Sequence, residues 1–217
     1  MNPLDILKSL ISIPSVNPMG RDLSGPEYFE TRVSEWLCDF FDEHQIAHER
    51  IEVVPGRSNV IARVDAGSDR PTIVLDAHQD TVPVDGMTID PFDPVVRDGK
   101  IYGRGACDVK GGMAAMLFAI TRLAKERPER AANVVLSCTC DEESNVQGIN
   151  DLVQLWTDPN RHCQLIPTRP DVALVAEPTL LEIVVAHRGA TRWKIRTSGR
   201  ACHSSQPELG TNAIYRM

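Results

Sequence analysis

Three short apolar runs limit what this chain can fold into. Residues 73–75, 134–139 and 172–176 are rich in Val, Ile, Leu and Ala, and each has the length and branching of a buried strand. Each breaks off into groups that bind cations or move protons. The first leads into Asp76-Ala77-His78-Gln79-Asp80, the second into Asp141-Glu142-Glu143, and the third into Glu177-Pro178. Open α/β sheets bind ligands outside the carboxyl ends of their strands, so acids repeated at strand exits describe a site better than a wet surface does.

Within the first of these exits, residues i and i+2 of an extended segment point to one face, which sets His78 beside Asp80. An imidazole that ligates a metal through one nitrogen usually gives its other N–H to a carboxylate, and the Asp80 carboxylate is placed for that task. Further on, Gly103-Arg104-Gly105-Ala106-Cys107-Asp108 and Gly111-Gly112 lead into Met113, Met116, Leu117, Ile120 and Leu123, which recur at helical spacing. Asp108 therefore lies in a tight loop just before a helix. A lone carboxylate there is ordinarily a helix cap; paired with His78 it becomes a candidate ligand. The glycines do not make a nucleotide loop, because the third glycine of the dinucleotide fingerprint and the Lys-Ser/Thr of a P-loop are both missing.

In chain order, the spacing predicts a short helix ending at Ile13-Pro14, an amphipathic helix over residues 27–45, and strands over 47–54, 59–64 and 72–77. Asp98-Gly99 between apolar pairs predicts a hairpin, and a short helix follows at 149–156. Alternating strands and helices make the class α/β, with a first domain over residues 1–180. Beyond it the pattern changes. Residues 183–186 and 190–197 read as strands with one wet face, and 211–217 as the first turns of a helix, so 181–217 is expected to begin a second, smaller domain.

A net charge of −7 over 217 residues, with no Lys/Arg cluster, argues against nucleic acid as a partner. No apolar run reaches membrane-spanning length and no secretory leader opens the chain, so the expected location is cytoplasmic and no membrane partner is expected. The six cysteines form no C-x-x-C pair, which removes zinc ribbons and thioredoxin-type redox chemistry. What remains is an imidazole with several carboxylates, a donor set suited to zinc, or to cobalt or manganese. Two such ions about 3.5–4 Å apart would activate a water and polarise a carbonyl together. A neighbouring glutamate that is not a ligand would be free to take the water's proton.

The segments HQDTVP, YGRGACDVKGGMAAM, CDEES, AEPT and HSSQPELGTNAI resemble, in order and spacing, the metallopeptidase family of acetylornithine deacetylase, succinyl-diaminopimelate desuccinylase, carboxypeptidase G and aminoacylase. The resemblance implies a three-layer catalytic domain with a mixed sheet and flanking helices, followed by a smaller α+β, ferredoxin-like dimerisation or lid domain. It implies two Zn2+ ions: His78 and Glu177 on one, Glu143 on the other, and Asp108 bridging them, with the Asp108-Val109 peptide cis. It further implies that Asp80 orients His78, that Glu142 is the general base, and that His203 reaches a partner subunit's site and stabilises the oxyanion in a homodimer. The implied substrate is an N-acyl amino acid or a dipeptide-like amide. Family members carry a further metal-binding histidine that this sequence lacks. One ion is therefore expected to bind weakly and the second poorly, and an inactive chain that serves only association is the alternative.

Overall fold

Asn2 accepts a hydrogen bond from the Asp5 amide while the Asp5 carboxylate accepts one from the Asn2 amide, a reciprocal cap that starts helix α1 (Pro3–Ile11) with proline in its first turn. The computed structural model describes residues 2–189, 191 and 193–217. After α1 come α2 (Thr31–Glu43), β1 (Ala47–Val54), β2 (Arg57–Val64), β3 (Thr72–His78), β4 (Val95–Arg97), β5 (Lys100–Tyr102), α3 (Lys110–Glu126), β6 (Asn133–Thr139), α4 (Gln147–Thr157) and β7 (Val172–Val175).

The main sheet runs β1-β2-β6-β3-β7, and β4-β5 form a separate hairpin. Strands β1/β2 and β2/β6 are antiparallel, whereas β3 is parallel to both β6 and β7. Side chains alternate between two cores, as strand geometry demands. Val60, Ala62, Val64, Ala77, Leu136 and Cys138 pack with the apolar stripes of α1, α2 and α3. Ile61, Val74 and Val135 face the other way, onto Leu152 and Leu155 of α4 and onto Cys163 and Ile166. Helices thus cover a mixed sheet on both faces, the three-layer arrangement expected. The register that sets His78 against Thr139 and Asp76 against Val175 brings the carboxyl ends of β6, β3 and β7 to one edge.

The chain divides into two compact units, Met1–Leu180 and Leu181–Met217. In the first, β7 departs from expectation. It is an exposed edge strand, with Val172, Leu174 and Val175 50–59% accessible, because it pairs with β3 on one side and with no other strand among the described residues. In the second unit, residues 183–186 form no strand, nor do the described residues of 190–197; residues 190 and 192 lie outside the described residues. Residues 211–217 form turns instead of a helix. An isolated bridge joins Arg200 to Thr211, and a single 3-10 turn spans Pro207–Leu209. A strand pattern needs a partner and a helix stripe needs a surface, and this unit supplies neither to Trp193, Ile195, Ile214 or Tyr215, all exposed. Among the described residues no helix is long and apolar enough to cross a membrane.

Candidate metal centre

The centre is built from the ends of the three parallel strands and the loop before α3. His78 is the last residue of β3 and is buried. Its Nδ1 lies 2.8 Å from the backbone carbonyl of Asp80 and its Nε2 lies 3.0 Å from Asp108 Oδ1. A carbonyl only accepts, so Nδ1 carries hydrogen and Nε2 is the nitrogen that faces the acids. Opposite a carboxylate, Nε2 needs either a proton or a cation. Burial lowers the affinity of His78 for a proton, but Asp80, Glu142 and Asp108 outweigh it and raise the pKa above the ordinary histidine value.

Asp108 is not a helix cap. Residue N-cap of α3 is Val109, without a side-chain cap hydrogen bond, and the Asp108-Val109 peptide is cis. The glycines around it permit close approach. At Gly105 (φ +79°) an added Cβ would lie 2.8 Å from Thr81 Cγ2, and at Gly112 it would lie 2.6 Å from the Cβ of Ala176. The second contact packs the first turn of α3 against the exit of β7 and so carries Glu177 to the same rim. Lys110, wholly buried, anchors this turn by donating to the carbonyls of Leu10 (2.8 Å) and Ile13 (2.7 Å); burial lowers its pKa to about 7.

Two groups of ligand atoms lie within 4.8 Å of one another: His78 with Asp108 and Glu177, and His78 with Glu142 and Glu143. His78, Asp108 and Glu177, expected to share one ion, are thus brought together. No such group joins Glu143 to Asp108 among the described residues. Glu143 Oε1 is buried without a hydrogen-bond partner among the described residues, an acceptor that a cation would satisfy. Burial pushes Glu143 up to about 7, with Asp108, Asp80 and Glu142 adding to the rise and His78 opposing it. Burial likewise raises Glu177, against the pull of His78. Carboxylates held above their ordinary range beside an imidazole held above its own form a site that a divalent cation would relieve.

Asp80 orients His78 through a different atom from the one expected. Its carboxylate oxygen is 3.8 Å from Nδ1, too far for the orienting bond, and the carbonyl takes that role. The carboxylate is engaged elsewhere: Oδ1 accepts from the Glu142 amide (3.1 Å) and Oδ2 from the Glu143 amide (3.2 Å) and from Asn17 Nδ2 (2.7 Å). The spacing that singled out Asp80 held no sign of Asn17. Asp76 was also missed; it is buried on β3 on the same side as His78, and its Oδ1 has no partner among the described residues. In the second unit His203 is exposed, with Nδ1 2.8 Å from Ser205 Oγ.

A mixed sheet between helices, with an imidazole and clustered carboxylates at the ends of its parallel strands, defines the class. A sequence profile described as Peptidase family M20/M25/M40 matches residues 74–214, and the chain belongs to that family. It is 34% identical over 188 residues to a probable succinyl-diaminopimelate desuccinylase of Staphylococcus aureus strain MRSA252, covering 85% of this chain and 44% of that protein. It is 31% identical over 218 residues to an acetylornithine deacetylase of Vibrio campbellii, covering 99% of this chain and 53% of that one. A crystal structure of a tripeptidase from Staphylococcus aureus subsp. aureus Mu50 superposes with a TM-score of 0.63 at 19% identity, over 99% of this chain and 53% of that one. The chain spans about half the length of the curated relatives it matches.

Proposed function

We propose that this chain carries the metal centre of a hydrolase that cleaves the amide bond of N-acyl amino acids, with dipeptide-like amides as the wider substrate class. The observation that carries the reading is the convergence of His78, Asp108 and Glu177 within reach of one ion. The names of the two relatives, a desuccinylase and a deacetylase, favour an acylated amino acid. Zn2+ is the ion assigned, on the imidazole and carboxylate donors, with Co2+ or Mn2+ as substitutes.

A bound ion would supply Lewis acidity to a carbonyl and lower the pKa of a water. His78, Asp108 and Glu177 would hold that ion, and Glu143 with Asp108 would hold a second. Glu142, half-buried beside His78, takes the water's proton and returns it to the leaving amine. Asp80 fixes the imidazole by its carbonyl and the two glutamates by its carboxylate. His203 is assigned to the oxyanion across a homodimer, and the location proposed is cytoplasmic.

The test is Zn2+ binding to the chain together with chelator-sensitive hydrolysis of a panel of N-acyl amino acids. Replacing His78, Asp108 or Glu177 by Ala should each weaken Zn2+ binding at least about tenfold, and three unchanged affinities would end the reading. Glu142→Gln should abolish hydrolysis with Zn2+ content nearly intact; if both fall together, Glu142 is a ligand and not the base. Unaltered Zn2+ affinity without turnover on any substrate would favour association as the chain's role.

A further inference from the structure

Behind the metal-facing groups lies a buried cluster of charge of which the proposed mechanism uses only Asp80. Arg57 donates from Nε to Glu30 Oε2 (2.8 Å), from Nη2 to Glu30 Oε1, and from Nη1 to Asp141 Oδ1 (2.6 Å). Arg57 Nη2 also stands 3.8 Å from Asp80 Oδ2. Arg57, Glu30, Asp141, Asp80 and Asn17 are all buried. Asn17 is the one uncharged member, and its Nδ2 donates both to Asp80 Oδ2 (2.7 Å) and to Asp141 Oδ1 (2.9 Å). Its amide cannot be reversed, because Oδ1 accepts from the Met19 amide (2.9 Å). Its backbone is held too: the Asn17 amide donates to the Thr81 carbonyl and the Thr81 amide to the Ser15 carbonyl.

Asp80 and Asp141 both hold the segment that carries Glu142 and Glu143. Asp80 accepts the amides of both glutamates. Asp141, immediately before them, sits at φ +60°, a left-handed conformation that aims the following residues, and its side chain also accepts from Gln147 Nε2 (2.8 Å). Two carboxylates this close repel unless donors stand between them. Asn17 and Arg57 are those donors.

We propose that Asn17 is a positioning residue for the metal centre: by clamping Asp80 to Asp141 it holds the amides of Glu142 and Glu143, and so fixes the glutamate pair before any ion arrives. The proposal deepens the metal-centre reading and rests on it for its chemical purpose. The geometry it asserts, however, is that of the metal-free chain and is measurable there.

The experiment is amide hydrogen exchange by NMR on the metal-free 217-residue chain and its Asn17→Ala variant, followed by Zn2+ titration of both. In Asn17→Ala the Glu142 and Glu143 amides should exchange about tenfold faster or more, while amides of β6 such as Leu136 keep their rates, and Zn2+ affinity should fall about tenfold. Asn17→Ser, whose hydroxyl still donates, should recover part of both effects. Unchanged exchange at Glu142 and Glu143 overturns the proposal. So does acceleration spread equally over β6, or loss of the sheet in both variants by circular dichroism, since Asn17 would then be a folding residue. Local acceleration in a chain that binds no Zn2+ would uphold the clamp and remove the metal reading. Zn2+ binding indifferent to Asn17 would overturn its role as a positioning residue and leave the metal reading standing.

Discussion

His78 holds one hydrogen on Nδ1 for the Asp80 carbonyl, so a metal reaching Nε2 must displace the proton that faces Asp108. Zn2+ uptake should release protons near and below the raised pKa of His78, and affinity should weaken as pH falls through it. Calorimetry in buffers of different ionisation enthalpy reads the proton count, and heats independent of buffer would contradict this arrangement. Asp76 supplies a second prediction. Burial lifts it from 3.8 to about 7, partly opposed by hydrogen bonding and by His78. Between about pH 4 and 7 the folded chain therefore keeps a proton that the unfolded chain has released. Stability of the metal-free chain should fall as pH rises through that window, at about 1.4 kcal/mol per pH unit at the steepest. Glu143, also near 7, contributes with the same sign. Asp76→Asn should flatten the slope in thermal unfolding across this window; a slope identical to the parent's would assign the titration to other groups. His78, Glu142, Glu143 and Glu177 stood out in the sequence because their types and strand-exit positions carry chemistry. Asp76 did not, because its burial depends on Ser137 and Val175, its register partners on neighbouring strands.

Among the elements, α3 and β7 carry the ligand geometry between them. Gly112 lets the first turn of α3 meet Ala176, and a methyl group there would come within 2.6 Å of another Cβ that cannot swing aside. Gly112→Ala should cost about 1–3 kcal/mol from overpacking, less the roughly 0.5–1 kcal/mol that alanine gains inside a helix. Denaturant unfolding measures the balance, and Zn2+ affinity should fall alongside because Glu177 follows Ala176. A variant as stable as the parent and as tight for Zn2+ would refute that coupling. The helices and the strands of the first unit were legible as elements, since amphipathic period and turn residues are local. The run 172–176 was legible as a strand but not as an exposed edge, because composition does not record how many neighbours a strand will find. At 183–197 the alternation was real, but without a partner no ladder forms among the described residues.

For the molecule as a whole, ligand atoms of His78, Asp108 and Glu177 lie within 4.8 Å of one another, whereas Glu143 groups with His78 and Glu142. The chain should take up one Zn2+ measurably and a second poorly, as read by equilibrium dialysis with elemental analysis. Two tightly held ions would overturn this ligand count. At Zn2+ one hundred times the dissociation constant, binding should add about 2.7 kcal/mol to the stability of the unit that holds the site.

By itself the sequence determined the order of strands and helices, the chemistry available at their ends and the resemblance to a family. Those follow from local periodicity and from residue type. Only the tertiary structure decided that the Asp80 carbonyl orients His78, that Asn17 bridges Asp80 to Asp141, which lies 124 residues beyond Asn17, and that β7 lies open at the edge. Contacts of that kind arise when distant segments are packed against one another, and no local pattern encodes which polar group will be left facing which.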